Sequence, residues 1–144
     1  MRNIRILGLL ALGSQLFAGG FWLQLGNPEA NPEARKHNAV VVIKATGCHD
    51  PATAQVIATA IGIVDGQRKT IALKVTPLSE EGTFALSQQW PASGHWVIQL
   101  VGRNGEQFTN TLISAGPQGL DRLHARSDMK QFRDADVEAM LSSN

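Results

Sequence analysis

A thiol, an imidazole and a carboxylate stand side by side at Cys48, His49 and Asp50, between Gly47 and Pro51. On a strand Cys48 and His49 would point to opposite faces. In a loop they could converge on a soft cation such as Cu(I), which thiolate and imidazole suit as ligands. The competing reading is a partly buried free cysteine beside a loop histidine, with Asp50-Pro51 as an ordinary turn. Cys48 is the only cysteine, so an internal disulfide and a Cys-pair zinc site are excluded, while a bond to another molecule's thiol stays open. As a nucleophile it would need a histidine base within reach, and no known signature surrounds it to name one among His49, His95 and His124.

The remaining candidates are scattered. His95 directly precedes Trp96, so on one strand His95 faces outward if Trp96 faces a core. Met129 and Met140 are soft-metal donors by type, with His124 nearby in sequence, but the amphipathic spacing of the C-terminal segment assigns them to packing. Trp90 and Trp96 read as core fillers. Beyond residue 20 there is no Gly-x-Ser-x-Gly, His-Glu-x-x-His or phosphate-binding glycine loop, so the chain carries no catalytic signature.

The elements that must position these residues follow a period of 2. Residues 39–45, AVVVIKA, form a short run rich in β-branched side chains, read as a strand. Residues 54–64 and 68–76 flank Asp65-Gly66, a type I′ hairpin signal. Closing on that turn pairs Val64 with Gln67, Ala60 with Ile71, Ala58 with Leu73 and Val56 with Val75. Residues 83–90 and 95–101 alternate, placing Phe84, Leu86, Trp96, Ile98 and Leu100 on a core face. Asn104-Gly105 is a second hairpin turn, which sets Arg103 opposite Glu106 and returns through residues 107–114. A seventh short strand fits at residues 116–120, and Asp134 caps a helix over residues 135–141. Six to seven strands at spacings near ten residues give an all-β, immunoglobulin-like antiparallel sandwich with a short C-terminal helix.

At the front, Arg2 and Arg5 precede an apolar stretch that ends in Ala18, Gly19 and Gly20, the parts of a secretory signal. The expectation is an extracytoplasmic protein, periplasmic or secreted, with residues 1–20 either removed or kept as a membrane anchor, since the apolar character resumes at Phe21 and Trp22. Residues 21–38, with Asn-Pro-Glu-Ala at 27–30 and again at 31–34, read as a stiff extended linker. The sandwich then covers residues 39–120, and residues 121–144 are an extension with the helix. The chain has 144 residues, 43% hydrophobic and 17% charged, the size and make-up of one globular domain. Its net charge of +1, without a basic run, argues against nucleic acid as partner.

Gly82-Thr83-Phe84-Ala85-Leu86 followed by Trp90-Pro91-Ala92-Ser93-Gly94-His95-Trp96-Val97-Ile98 resembles the paired glycine-and-aromatic pattern of small secreted immunoglobulin-like modules. It is similar to the YtkA-like and FixH-like bacterial modules, and less so to carboxypeptidase-regulatory or transthyretin-like domains, over residues 52–114. Ala54-Gln55-Val56 matches a strand start in the former. The resemblance implies a β-sandwich, and in some members copper handling during oxidase assembly; it supplies no metal ligand here. The sequence therefore reads as a non-enzymatic extracytoplasmic binding or accessory module with another protein as partner and no cofactor. The alternative is a copper-handling accessory protein using Cys48, His49 and Asp50, with His95 as a further candidate ligand.

Overall fold

In a computed structural model, residues 20–143 are described. The strands are β1 (Trp22–Gly26), β2 (Ala39–Thr46), β3 (Gln55–Val64), β4 (Gln67–Leu73), β5 (Val75–Pro77), β6 (Thr83–Ser87), β7 (Trp96–Asn104), β8 (Gln107–Gly116), β9 (Gly119–Leu120) and β10 (Arg126–Asp128). Two short helices join them, α1 (Pro32–Lys36) and α2 (Asp134–Ser142). The first sheet runs β1-β2-β6-β5 and the second β10-β8-β7-β3-β4, with β9 also paired to β8; every pairing is antiparallel. The expected all-β sandwich with a C-terminal helix is present.

Alternation of side chains builds the interior. Phe84 and Leu86 from one sheet meet Ala58, Ala60, Leu73, Trp96, Ile98 and Leu100 from the other in one buried cluster. Gly62 pairs with Trp96, and a Cβ there would lie 2.5 Å from Trp96 Cε3, so the indole needs glycine beside it. The β3–β4 hairpin closes as expected on Asp65 and Gly66, both at positive φ, with Ala58↔Leu73, Ala60↔Ile71 and Val64↔Gln67 in register.

Two registers differ from expectation. Val56 pairs with Gly102 rather than Val75, because the chain leaves the second sheet at Lys74 and β5 joins the first, setting Val75 against Leu86. The crossing is held by a side chain that imitates a strand: the Lys74 N–H donates to Gln89 Oε1 at 2.8 Å, and Gln89 Nε2 donates to the Lys74 carbonyl at 2.9 Å. In the second hairpin the turn is Gly105-Glu106, one residue later than Asn104-Gly105, with Asn104↔Gln107 and Arg103↔Phe108. Asn104 is buried, and its Nδ2 donates to the Asp50 carbonyl at 2.6 Å and to Thr53 Oγ1 at 3.1 Å. That anchor fixes Asn104 as a strand residue and passes the left-handed position to Gly105 at φ 59°. Arg103 then lies over the Phe108 ring, 5.2 Å from its centroid, instead of opposing Glu106.

Residues 21–38 are part of the fold and not an extended linker. Phe21 and Leu23 enter the core, and β1 pairs along its whole length with β2. The repeated Asn-Pro-Glu-Ala forms two capped helical turns: Asn27 accepts from the Glu29 N–H and Asn31 from the Ala34 N–H, each at 3.0 Å, with proline at the start of each turn. The second turn drives Ala34 onto Val42, Leu78 and Ala85, covering the outer face of the first sheet. Glu33 ties it down by accepting from the Ser79 N–H and hydroxyl, the latter at 2.7 Å. These bonds hold the Glu33 carboxyl below the usual glutamate range.

The fold likewise continues past residue 120, through β10 to α2. Val137 and Leu141 pack on Ile61, Val97 and Leu112 of the second sheet's outer face. Arg68 pairs with Glu138 at 2.9 Å and with Asp134 at 3.4 Å. Asp134 is the first helical residue rather than the cap; Asp136 instead accepts from the Arg133 N–H at 2.9 Å, which lowers its own pKa. The expected signal or anchor, apart from Gly20, lies outside the described residues.

Candidate functional site

Cys48, His49 and Asp50 lie in the connection between β2 and β3, at the end of the sandwich that also carries the Gly105 turn. Cys48 is half-buried against the core, whereas His49 and Asp50 are exposed. The Asp50 carboxylate accepts from the Ala52 N–H at 3.2 Å and so caps the single helical turn Pro51–Thr53. Its carbonyl accepts from Thr53 Oγ1 at 3.0 Å as well as from Asn104. Beneath the loop, Gly82 at φ 70° lets Pro51 approach closely; a Cβ at Gly82 would lie 2.9 Å from that of Pro51. Lys44, the cation nearest in sequence, pairs with Glu80 at 2.7 Å and lowers the Glu80 pKa.

His95 sits elsewhere. It is exposed just before β7, at the opposite end of the second sheet from the Gly105 turn. There it lines an open cleft of about 550 Å³ with Ser114, Asp121 and the turn Gly116 to Leu120. A Cβ on Gly116 would come within 3.3 Å of His95 Nδ1, so this glycine permits the imidazole to lie over the β8–β9 turn. On the same rim the Asp121 carboxylate caps a helical turn and contacts His124 Nδ1 at 2.8 Å. His124 and Met140 line a neighbouring hollow of about 300 Å³ with Ser114 and Arg126, while Met129 lies beside Gly20.

The structure therefore separates His95 from Cys48, His49 and Asp50. Among the described residues no three His, Cys, Asp or Glu side chains are grouped so as to hold a metal ion. The cleft beside His95 was not anticipated. Its one sequence signal is the glycine-rich turn Gly116-Pro117-Gln118-Gly119, which closes β8 onto the short β9. No described helix is long and apolar enough to cross a membrane. No family model, no curated protein and no solved structure matches this chain.

Proposed function

We propose that this protein is a non-enzymatic β-sandwich that serves outside the cytoplasm as a binding or accessory module, acting through a surface that another protein recognises. The observation that carries the reading is the build of the Cys48 loop. Asp50 caps a helical turn with its carboxylate and receives Asn104 on its carbonyl, and Cys48 packs against the core, so the loop serves as a splice between sheet ends. The charged start and apolar stretch of residues 2–20 support the extracytoplasmic setting.

The second reading, copper handling, draws on the half-exposed thiol of Cys48 beside the exposed His49. A competition titration of the reduced protein against a chromogenic Cu(I) chelator separates the two. Equal copper capture by the parent protein and by Cys48→Ala supports the binding module. Stoichiometric capture lost in Cys48→Ala replaces it with the metal handler.

A further inference from the structure

We infer that the free edge of β1 receives an extended, uncharged peptide segment of a partner protein as an added strand. This rests on the binding-module reading and assigns it a surface. A sheet edge exposes unpaired N–H and C=O groups, and proteins guard such edges with charge, proline or brevity. Three of the four edges here are guarded in that way. β4 carries Arg68 and Lys69, β5 is three residues long and ends in Pro77, and β10 is three residues long with Arg126 and Asp128. β1, reading Trp-Leu-Gln-Leu-Gly, has no charge, no proline and no bulge in its pairing with β2. Among the described residues no strand pairs with its other side.

The side chains agree with an unfilled position. Trp22 is 40% exposed on the outer face and Met129, near the same end, 55%. Leu25, which points inward with Leu23, is only half covered. A further strand alongside would complete its cover.

The shape of the edge selects the occupant. A Cβ at Gly102 would meet Thr109 of β8 at 2.9 Å, Leu23 at 3.0 Å and Phe21 at 3.2 Å, and β1 approaches β8 across the interior, which places β1 over the β7–β8 pair. Past β8 the second sheet runs on through β10, and so projects beyond β1 as a ledge one strand wide. Strands lie about 4.8 Å apart and packed sheets about 10 Å apart. Coplanar two-fold pairing of β1 with β1 of a second copy would drive each ledge into the other copy's second sheet. A single strand with no sheet beneath it meets no such obstacle and lies above the ledge. The absence of charge on β1 favours an equally uncharged segment, whose main chain supplies the attachment by strand addition.

The test uses the protein purified from cells expressing the full chain and a seven-residue peptide of alternating valine and threonine, blocked at both ends. Backbone NMR follows Trp22–Gly26. The expected result is saturable shifts and slowed amide exchange there. N-methylation of the amides along one edge of the peptide should weaken binding at least tenfold, and the same change along the other edge should leave it unaltered, because only one peptide edge faces β1. Equal behaviour of the two N-methylated series, no response of residues 22–26 at millimolar peptide, or dimerisation through β1 would each overturn the inference. Peptide shifts confined to the His95 cleft would also overturn it while leaving the binding-module reading standing, since that reading is judged by the copper titration.

Discussion

Replacing Asn104 by leucine tests how the Cys48 loop is joined to the β7–β8 hairpin. The substitution keeps the number and branching of side-chain heavy atoms, so no cavity is left, while the bulkier methyl groups add an overpacking cost on top of the lost bonds. It removes two donated bonds, at 2.6 Å to the Asp50 carbonyl and 3.1 Å to Thr53 Oγ1. The acceptors are not stranded, because the Asp50 carbonyl still receives the Thr53 N–H at 3.2 Å and the Thr53 hydroxyl at 3.0 Å. The loss is therefore that of two made bonds, each worth about 1 kcal/mol net, or about 2 kcal/mol in all. In a domain of this size that corresponds to a fall in Tm of roughly 6–10 °C. Urea denaturation of the parent, Asn104→Leu, Thr53→Val and the double variant gives both the cost and the coupling. A coupling of about 0.5–1 kcal/mol is expected between residues that share a bond. A single-variant cost below 0.5 kcal/mol, or strict additivity, would refute the argument that this anchor sets the hairpin register.

Two other outcomes follow from the segment before β2. A chain beginning at residue 37 lacks Phe21, Leu23 and Ala34, of which the first two alone are worth about 1.5–3 kcal/mol each when buried; it should fail to unfold cooperatively in a calorimeter, and a sharp transition near the parent Tm would show that β1 and α1 are dispensable. Because the folded-state pKa of Glu33 is depressed, its clasp on Ser79 adds stability above the ordinary glutamate range, near pH 4.3, and loses it as pH falls through the lowered value. Glu33→Gln should thus narrow the gap in stability between pH 7 and pH 3, measured by denaturant midpoint, and an unchanged gap would count against the clasp.

Period-2 alternation made the core face legible, from Ala58 and Ala60 to Trp96, Ile98 and Leu100, because each inward residue is fixed by its neighbours' parity. Asp65-Gly66 was equally legible, since aspartate and glycine suit the two positive φ values of a type I′ turn, which they adopt. What escaped depended on partners distant in sequence. Nothing near Lys74 announces that Gln89 will receive it, and nothing near Asn104 announces Asp50. The prolines at 28 and 32 suggested stiffness, yet with asparagine before each they start capped helical turns once Ala34 has Val42 and Ala85 to rest on. The candidate site suffered most, because Cys48, His49 and Asp50 are neighbours in sequence whose side chains serve a cap and a core, while the His95 cleft is assembled from β7, β8 and the turn after it.

The crossing at Lys74 also decides which strand pairings are local and which are distant in sequence. β3 with β4 and β7 with β8 are joined by short turns and can zip locally, whereas β2 pairs with β6 across the whole β3–β4 hairpin and the crossing, with Val42 meeting Ala85. Such distant pairings close late, because loop entropy must be overcome before their contacts form. Within the apolar strip Ala39-Val40-Val41-Val42-Ile43, β1 pairs only with Val42 and Ile43, so Ala39 to Val41 depend on β6 alone for a strand partner among the described residues, and an apolar run left unpaired is an aggregation hazard.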